Sequence, residues 1–160
     1  MTIHHDDDHL DRLGEMFEMQ ADLQRKSYGS HPADMPTIPE KAQFVKDMVM
    51  ALEDELHEAL FEISWKPWAK GEHFRKDAFR AELVDAWHFF MNLCLVADMT
   101  PAMLHQEYMK KHQKNAQRQL EGYDAQSTKC PKCTRAYDDE FVNCRPGYCE
   151  AEQVAINPFD

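Results

Sequence analysis

Apolar side chains recur at intervals of three and four residues in the first half of the chain, and this spacing is typical of amphipathic helices. The first such segment covers residues 8–26. Its apolar positions are Leu10, Leu13, Phe17 and Leu23. The second begins at Pro39, where proline suits a first helical turn, and ends near Trp65. Its apolar positions are Phe44, Val45, Met48, Leu52, Leu56, Leu60 and Ile63.

The third segment differs because it is apolar on nearly every side. A helix is predicted from Ala78 to Asp98, and its stretch 83–97 reads LVDAWHFFMNLCLVA. A helix that is hydrophobic all round belongs at the centre of a bundle. His88 and Cys94 lie within this stretch and are therefore predicted to be core residues.

A fourth helix is predicted after Thr100, whose side chain can cap the helix, and Pro101 suits its first position. This helix ends near Gly122. Four helices with short connections predict an all-α helical bundle. After residue 123 the composition changes to a Cys-rich tail, so we expect one main domain over 1–123 and a small element over 124–160.

Charge and hydropathy narrow the classes of function. The chain has 160 residues and a formal net charge of −11, which repels nucleic acid backbones and disfavours a general DNA or RNA binder. No apolar run has the length of a membrane span, and the N-terminus is too polar for a signal peptide. These features predict a cytoplasmic protein that needs a bridging cation for any phosphate ligand.

Two pairs of acidic residues are the strongest candidates for chemistry. Glu55 and Glu58 lie in the second predicted helix, and Glu82 and Asp85 lie in the third, with 23 residues between the pairs. A spacing of three places both members of a pair on one helical face. Carboxylates beside apolar residues are costly unless a cation neutralises them, and oxygen ligands suit Mg²⁺ or Mn²⁺.

Four of the five cysteines fall in the last 31 residues of the chain. They form two pairs separated by ten residues, Cys130 with Cys133 and Cys144 with Cys149. Four thiolates are the ligand number of a structural Zn²⁺ site, and the clustering argues against a disulfide scaffold. A zinc knuckle is predicted, with free thiols or a redox pair as alternatives.

The order E-x-x-E, gap, E-x-x-D resembles the signature of the all-α NTP pyrophosphatase superfamily, which includes the MazG-like enzymes and the dimeric dUTPases. The segment from Lys111 to Tyr123 resembles the phosphate-binding segment of the dimeric dUTPases at Lys111, Asn115, Arg118, Gly122 and Tyr123. Trp65-Lys-Pro-Trp68 and Asp85-Ala-Trp-His-Phe-Phe agree as well. The resemblance covers roughly residues 10–123.

This resemblance implies hydrolysis of a deoxynucleoside triphosphate, with dUTP favoured, to the monophosphate and pyrophosphate. It also implies a homodimer or a dimer of dimers. Mg²⁺ on the triphosphate would be held by Glu55, Glu58, Glu82 and Asp85, and one of the two glutamates in the second helix would orient or deprotonate the attacking water. Phosphate oxygens would be bound by Lys111, Asn115, Arg118 and Tyr123.

The sequence does not decide which nucleobase the protein recognises. Gln20 and Gln24 lie one turn apart on the first helix, and an amide on the apolar stripe needs a partner, either a base edge or a backbone carbonyl. Trp68, with Trp65, is a candidate to stack on a base or to pack in the core. Dimeric dUTPases commonly carry Asn where this chain has Gln24, so dCTP or a guanine nucleotide stays an alternative substrate.

Two other classes of protein are alternatives. Asp54-x-x-His57 and Asp85-x-x-His88 imitate the acid-x-x-His pairs of di-iron carboxylate bundles. A non-catalytic, metal-binding helical regulator would use the acidic bundle only as a scaffold. Metal-dependent release of pyrophosphate is expected only if the protein is an NTP pyrophosphatase.

Overall fold

The computed structural model describes residues 11–68, 70–122, 129–137 and 143–150. Helices and strands follow in chain order as α1, α2, α3, α4, β1 and β2. Their bounds are α1 Arg12–Tyr28, α2 Ile38–Phe61, α3 Lys76–Val96, α4 Pro101–Leu120, β1 Cys144–Arg145 and β2 Tyr148–Cys149. A short 3-10 helix, Pro32–Asp34, lies between α1 and α2. The all-α fold class and its four helices are confirmed.

Local sequence explains where the helices begin and end. Asp11 caps α1 by accepting a hydrogen bond from the Gly14 amide, and α1 stops at Gly29, whose φ of 80° is left-handed. A capping box between Thr37 and Glu40 starts α2. At the start of α4, Oγ1 of Thr100 accepts a hydrogen bond from the Met103 amide, which confirms the predicted cap.

The core is built around α3, which packs most extensively against α2 and also contacts α1 and the 3-10 helix. Its main apolar cluster joins α1 to α3 and consists of Phe17, Ala21, Met91, Cys94 and Leu95. The predicted central position of α3 and the burial of Cys94 are confirmed. The prediction for His88 was wrong, because this side chain is exposed on the side of α3 that borders a cavity.

The described residues fall into two compact units that divide within α4, after Glu107. The first unit contains α1 to α3 and the first turns of α4. In the second, the buried apolar cluster is formed by Cys130, Cys144 and Cys149. The sequence-based division at residue 123 stays a prediction. Among the described residues, no helix has the length and apolar character needed to cross a membrane.

Candidate functional site

Packing of α3 against α2 brings three of the four predicted carboxylates together. Glu55 from α2 and Glu82 and Asp85 from α3 offer oxygen atoms that all lie within 4.8 Å of one another. Glu55 and Glu82 are half-buried, and Asp85 is exposed. We call these three residues the carboxylate cluster. It is open to solvent on one side, so a phosphate-bearing ligand can reach it.

Glu58 does not belong to the carboxylate cluster and is exposed on α2. The charge of Glu58 nevertheless acts on Glu55, which is a member of the cluster. The pKa of Glu55 is raised, first by partial desolvation and then by repulsion from Glu58, Asp85, Glu82 and Asp54. Negative charge concentrated in this way fits a divalent cation with hard oxygen ligands. Two groups of three or more potential metal ligands occur among the described residues, and neither contains Asp54, His57 or His88.

The connection between α2 and α3 carries the two predicted tryptophans. Its base is closed by an ion pair of 2.7 Å between Arg75 Nε and Glu62 Oε2. The rings of Trp65 and Trp68 form an edge-to-face pair with centroids 6.5 Å apart. Trp68 is 75% exposed, so it is not packed in the core and has a free ring surface.

The buried amide of Gln20 has side-chain partners rather than a backbone carbonyl. Its Nε2 donates to Oδ1 of Asn92 at 2.8 Å, and its Oε1 lies 2.6 Å from Nδ1 of His88. Asn92 Nδ2 in turn donates to the sulfur of Met48 at 3.2 Å. Gln20, Gln24 and Asn92 are all buried. Sequence reasoning missed Asn92, although a single amide within the apolar stretch of α3 was a usable signal.

Gln20 and His88 also line a cavity of about 510 Å³ between α1 and α3. This volume is in the range of small-molecule sites. The other lining residues are mostly apolar and include Met16, Met19, Leu23, Val84, Trp87 and Met91. The cavity therefore combines apolar walls with a few polar groups, as a heterocyclic ligand requires.

Three of the four predicted phosphate-binding residues are described, and they lie in the second compact unit. Lys111 and Asn115 are exposed on α4, and Arg118 is half-buried on the same helix. Tyr123 lies outside the described residues.

The second unit brings together the four predicted thiols, whose sulfur atoms all lie within 4.8 Å of one another. Cys144 and Cys149 are paired across the β1–β2 hairpin. The Cys130 amide donates to the Arg135 carbonyl, and the Cys130 carbonyl accepts from Thr134, each at 2.8 Å, which closes a tight turn. None of the four forms a disulfide. This tetrathiolate arrangement fits the ligand set of structural zinc.

The pKa values of two of these thiols are shifted in opposite directions. Backbone hydrogen bonding from Cys133 lowers the pKa of Cys130 to about 7. Desolvation, followed by hydrogen bonds to Cys133 and Cys149, raises the pKa of Cys144 to about 12. Without a cation, the cluster therefore holds protons that a bound metal would displace.

Comparison with known families identifies the family of this chain. The profile of the dUTPase family matches residues 12–103, which is more than half of the chain. The chain belongs to this all-α dUTPase family. The matched range contains the carboxylate cluster and Glu58, and it ends before Lys111 and the four cysteines of the second unit. No curated protein and no solved structure matches the chain.

Membership of the dUTPase family supports hydrolysis of dUTP or a related deoxynucleoside triphosphate in general. It also implies a nucleotide substrate and the use of a divalent metal. The carboxylate cluster supplies the donor atoms that such a metal needs.

Proposed function

We propose that this member of the dUTPase family hydrolyses dUTP to dUMP and pyrophosphate in a reaction that depends on Mg²⁺. The observation that carries the proposal is the carboxylate cluster of Glu55, Glu82 and Asp85, within the range matched by the family. Of the four residues in the acid-x-x-His pairs, the carboxylate cluster contains Asp85 but not Asp54, His57 or His88, which favours Mg²⁺ over a di-iron centre.

The acidic residues divide into two roles. Glu55, Glu82 and Asp85 would hold Mg²⁺. Glu58, whose charge acts on Glu55, is proposed as a further ligand on the sequence resemblance. Bound Mg²⁺ would supply neutralising charge for the phosphate oxygens and a lowered pKa for coordinated water. Glu58 is exposed and stands outside the carboxylate cluster, so it is the better placed of the two helix-two glutamates to orient or deprotonate the attacking water.

The remaining substrate contacts are proposed on the sequence resemblance. Positive charge on Lys111 and Arg118 would offset charge on the pyrophosphate leaving group. Asn115 and Tyr123 would add hydrogen bonds to phosphate oxygens.

Recognition of the base is assigned to the first helix and to the loop after α2. Gln20 lines the cavity between α1 and α3, and Gln24 is buried one turn further along. The ring of Trp68 is exposed and could stack on a base. We favour uracil as the base, with dCTP and guanine nucleotides as the alternatives that Gln24 keeps open.

Turnover of nucleotides tests this function directly. Purified protein with Mg²⁺ should release pyrophosphate from dUTP faster than from dCTP, dGTP, dATP or UTP, and chelation by EDTA should stop the release. Pyrophosphate and nucleoside monophosphates are measured together, because equal amounts of the two are expected. Visible absorbance of the purified protein would support the di-iron alternative, and absence of turnover on every nucleotide would support a non-catalytic regulator.

We also propose that the protein is a homodimer, or a dimer of dimers, through an apolar face of α3. Leu83 and Phe90 lie two turns apart on this face and are 44% and 38% exposed. The ring of Phe90 stacks on Trp87, with centroids 5.5 Å apart. Exposed, contiguous apolar surface of this kind is typical of an interface, and a second copy fits the implied family assembly.

Replacing an apolar residue of this face with a charged one tests whether it forms the proposed dimer interface. Leu83→Lys should reduce the mass in solution, measured by sedimentation, to that of one chain, because the lysines would bring unpaired charge into an apolar contact. Ala81→Lys is the matched control, since Ala81 is exposed on nearly the opposite side of α3. An unchanged mass for Leu83→Lys would show that another surface forms the assembly.

A structural Zn²⁺ ion is proposed for the four thiols of the second unit. The arrangement of Cys130, Cys133, Cys144 and Cys149 supports it. Cysteines outside disulfides suit a reducing, cytoplasmic compartment. This metal would stabilise the tail and take no part in hydrolysis.

A further inference from the structure

The four thiols of the second unit differ in their access to solvent. Cys130, Cys144 and Cys149 are buried, with at most 4% of their surface exposed, whereas Cys133 is only partly buried. A reagent in solution therefore reaches the sulfur of Cys133 first. The backbone at Cys133 is held in place, because its carbonyl accepts a hydrogen bond from Oγ1 of Thr134 at 2.7 Å and the Thr134 amide donates to the Cys130 carbonyl.

Cys144 lies in contact with two other sulfur atoms. Its Sγ is 3.5 Å from Sγ of Cys133 and 3.7 Å from Sγ of Cys149. Sulfur atoms this close need to approach by only about 1.5 Å to reach the disulfide bond length of about 2.0 Å. A bond from Cys144 to Cys133 would join the β1–β2 hairpin to the turn over 130–135. A bond from Cys144 to Cys149 would stay within the hairpin, where the two residues are paired.

The proposed zinc site would keep these sulfur atoms in their reactive form. A cysteine that ligates a metal is deprotonated, and the thiolate rather than the thiol is the nucleophile that attacks peroxides. Cys133 would therefore be an accessible thiolate with a second thiolate, Cys144, 3.5 Å away. An accessible thiolate beside a resolving cysteine is the arrangement of redox-sensing sites.

We propose that the four thiols form a peroxide-sensitive switch, in which Cys133 is oxidised first and Cys144 then closes a disulfide that releases zinc. The inference goes beyond the proposed hydrolysis and rests only on the proposed zinc site. Its regulatory signal would be hydrogen peroxide.

The reaction has two steps. The Cys133 thiolate attacks one oxygen of hydrogen peroxide, the O–O bond breaks, and hydroxide leaves, which gives a sulfenic acid on Cys133. The Cys144 thiolate then attacks the Cys133 sulfur, the S–O bond breaks, and a second hydroxide leaves as the disulfide forms. The two thiolates lose two electrons and the peroxide gains two. Two protons from solvent convert both hydroxides to water.

The segments that the disulfide joins would make the switch reversible. Zinc would lose two of its four ligands, which two thiolates alone do not replace. The disulfide from Cys133 to Cys144 would take over from the metal in joining the turn to the hairpin. All four sulfur atoms would stay near one another, so reduction would restore the ligand set.

Zinc release and disulfide formation are measured together on the full chain purified with zinc. Hydrogen peroxide should release about one zinc per chain, detected with a chromogenic chelator, and peptide mass spectrometry should find Cys133 linked to Cys144. Dithiothreitol with added zinc should restore the original zinc content. Cys94→Ala is the matched control and should respond like the wild type, because Cys94 is buried in the core of the first unit.

Variants separate the cysteine that is attacked from the cysteine that resolves it. Serine at any of the four positions should remove zinc, so the variants are compared with one another in the zinc-free form. Cys144→Ser should leave the sulfenic acid on Cys133 longer-lived, and dimedone should trap it at least about fivefold more than in Cys149→Ser, which keeps both members of the proposed pair. Cys133→Ser should give neither the trapped sulfenic acid nor the disulfide.

The outcomes that contradict the switch differ from those that contradict the zinc site or the hydrolysis. A first disulfide between Cys130 and Cys133 or between Cys144 and Cys149, or zinc that stays bound in excess peroxide, would overturn the switch while the zinc site stands. Equal trapping of sulfenic acid in Cys144→Ser and Cys149→Ser would overturn the role of Cys144. Purified protein without zinc would overturn the zinc site and the switch together. Release of pyrophosphate from dUTP tests the hydrolysis separately.

Discussion

Turnover should fall at least about a hundredfold when Glu55 or Glu82 is replaced by Gln, or Asp85 by Asn, because several kcal/mol of transition-state stabilisation depends on the metal that they would hold. Glu58→Gln should lose turnover to a similar degree, since it removes the proposed base. Steady-state hydrolysis of dUTP at saturating Mg²⁺ measures the effect. Circular dichroism should show an unchanged helical content.

Glu55→Gln should lower turnover but should raise the stability of the metal-free protein. The pKa of Glu55 is raised in the folded protein, so its charged form is less favourable there than in the unfolded chain. Above its ordinary pKa this lowers the free energy of unfolding, and Glu55→Gln removes the cost. We therefore expect a higher Tm for metal-free Glu55→Gln at neutral pH, and a difference that disappears at acid pH, where the carboxyl is protonated in both states.

Glu53→Gln is the control for both measurements, because Glu53 is exposed on α2 outside the carboxylate cluster. It should leave turnover and its dependence on Mg²⁺ unchanged. Near-normal activity in two or more of the four acidic variants would contradict the assignment of the metal site.

Freshly purified, reduced protein should contain about one zinc per chain, and Cys130→Ser should lose it. The sulfur atoms already lie within 4.8 Å of one another, and the buried apolar cluster of this unit consists of cysteines, so the metal would supply most of its stability. Elemental analysis measures zinc, and hydrogen exchange of the β1–β2 hairpin measures order. Exchange should accelerate in Cys130→Ser.

Two comparisons make the zinc prediction specific. Cys94→Ala should retain zinc, since Cys94 is buried in the apolar core of the first unit and does not belong to the group of four thiols. Partial removal of zinc should leave hydrolysis dependent on Mg²⁺, as expected of a structural ion. Reduced protein that contains no zinc would overturn the site. A disulfide that forms in the same protein without reductant would then support the redox alternative.

Much of this architecture was predictable because it is encoded locally. Helical periodicity, the Thr100 cap and the capping box at Thr37 depend on residues a few positions apart, so the four helices could be predicted to within a few residues of their ends. The three-residue spacing within each acidic pair and the clustering of the cysteines are local in the same sense. They were sufficient to predict both candidate metal sites.

What the tertiary structure alone decided concerns contacts between residues that are distant in the sequence. The rotation of α2 against α3 brings Glu55, but not Glu58, into the carboxylate cluster. Gln20 pairs with His88 and Asn92, 68 and 72 residues away. His88 lies on a cavity wall instead of in the core. Periodicity defines which side of a helix is apolar, but the angle at which two helices pack decides which polar atoms meet across them.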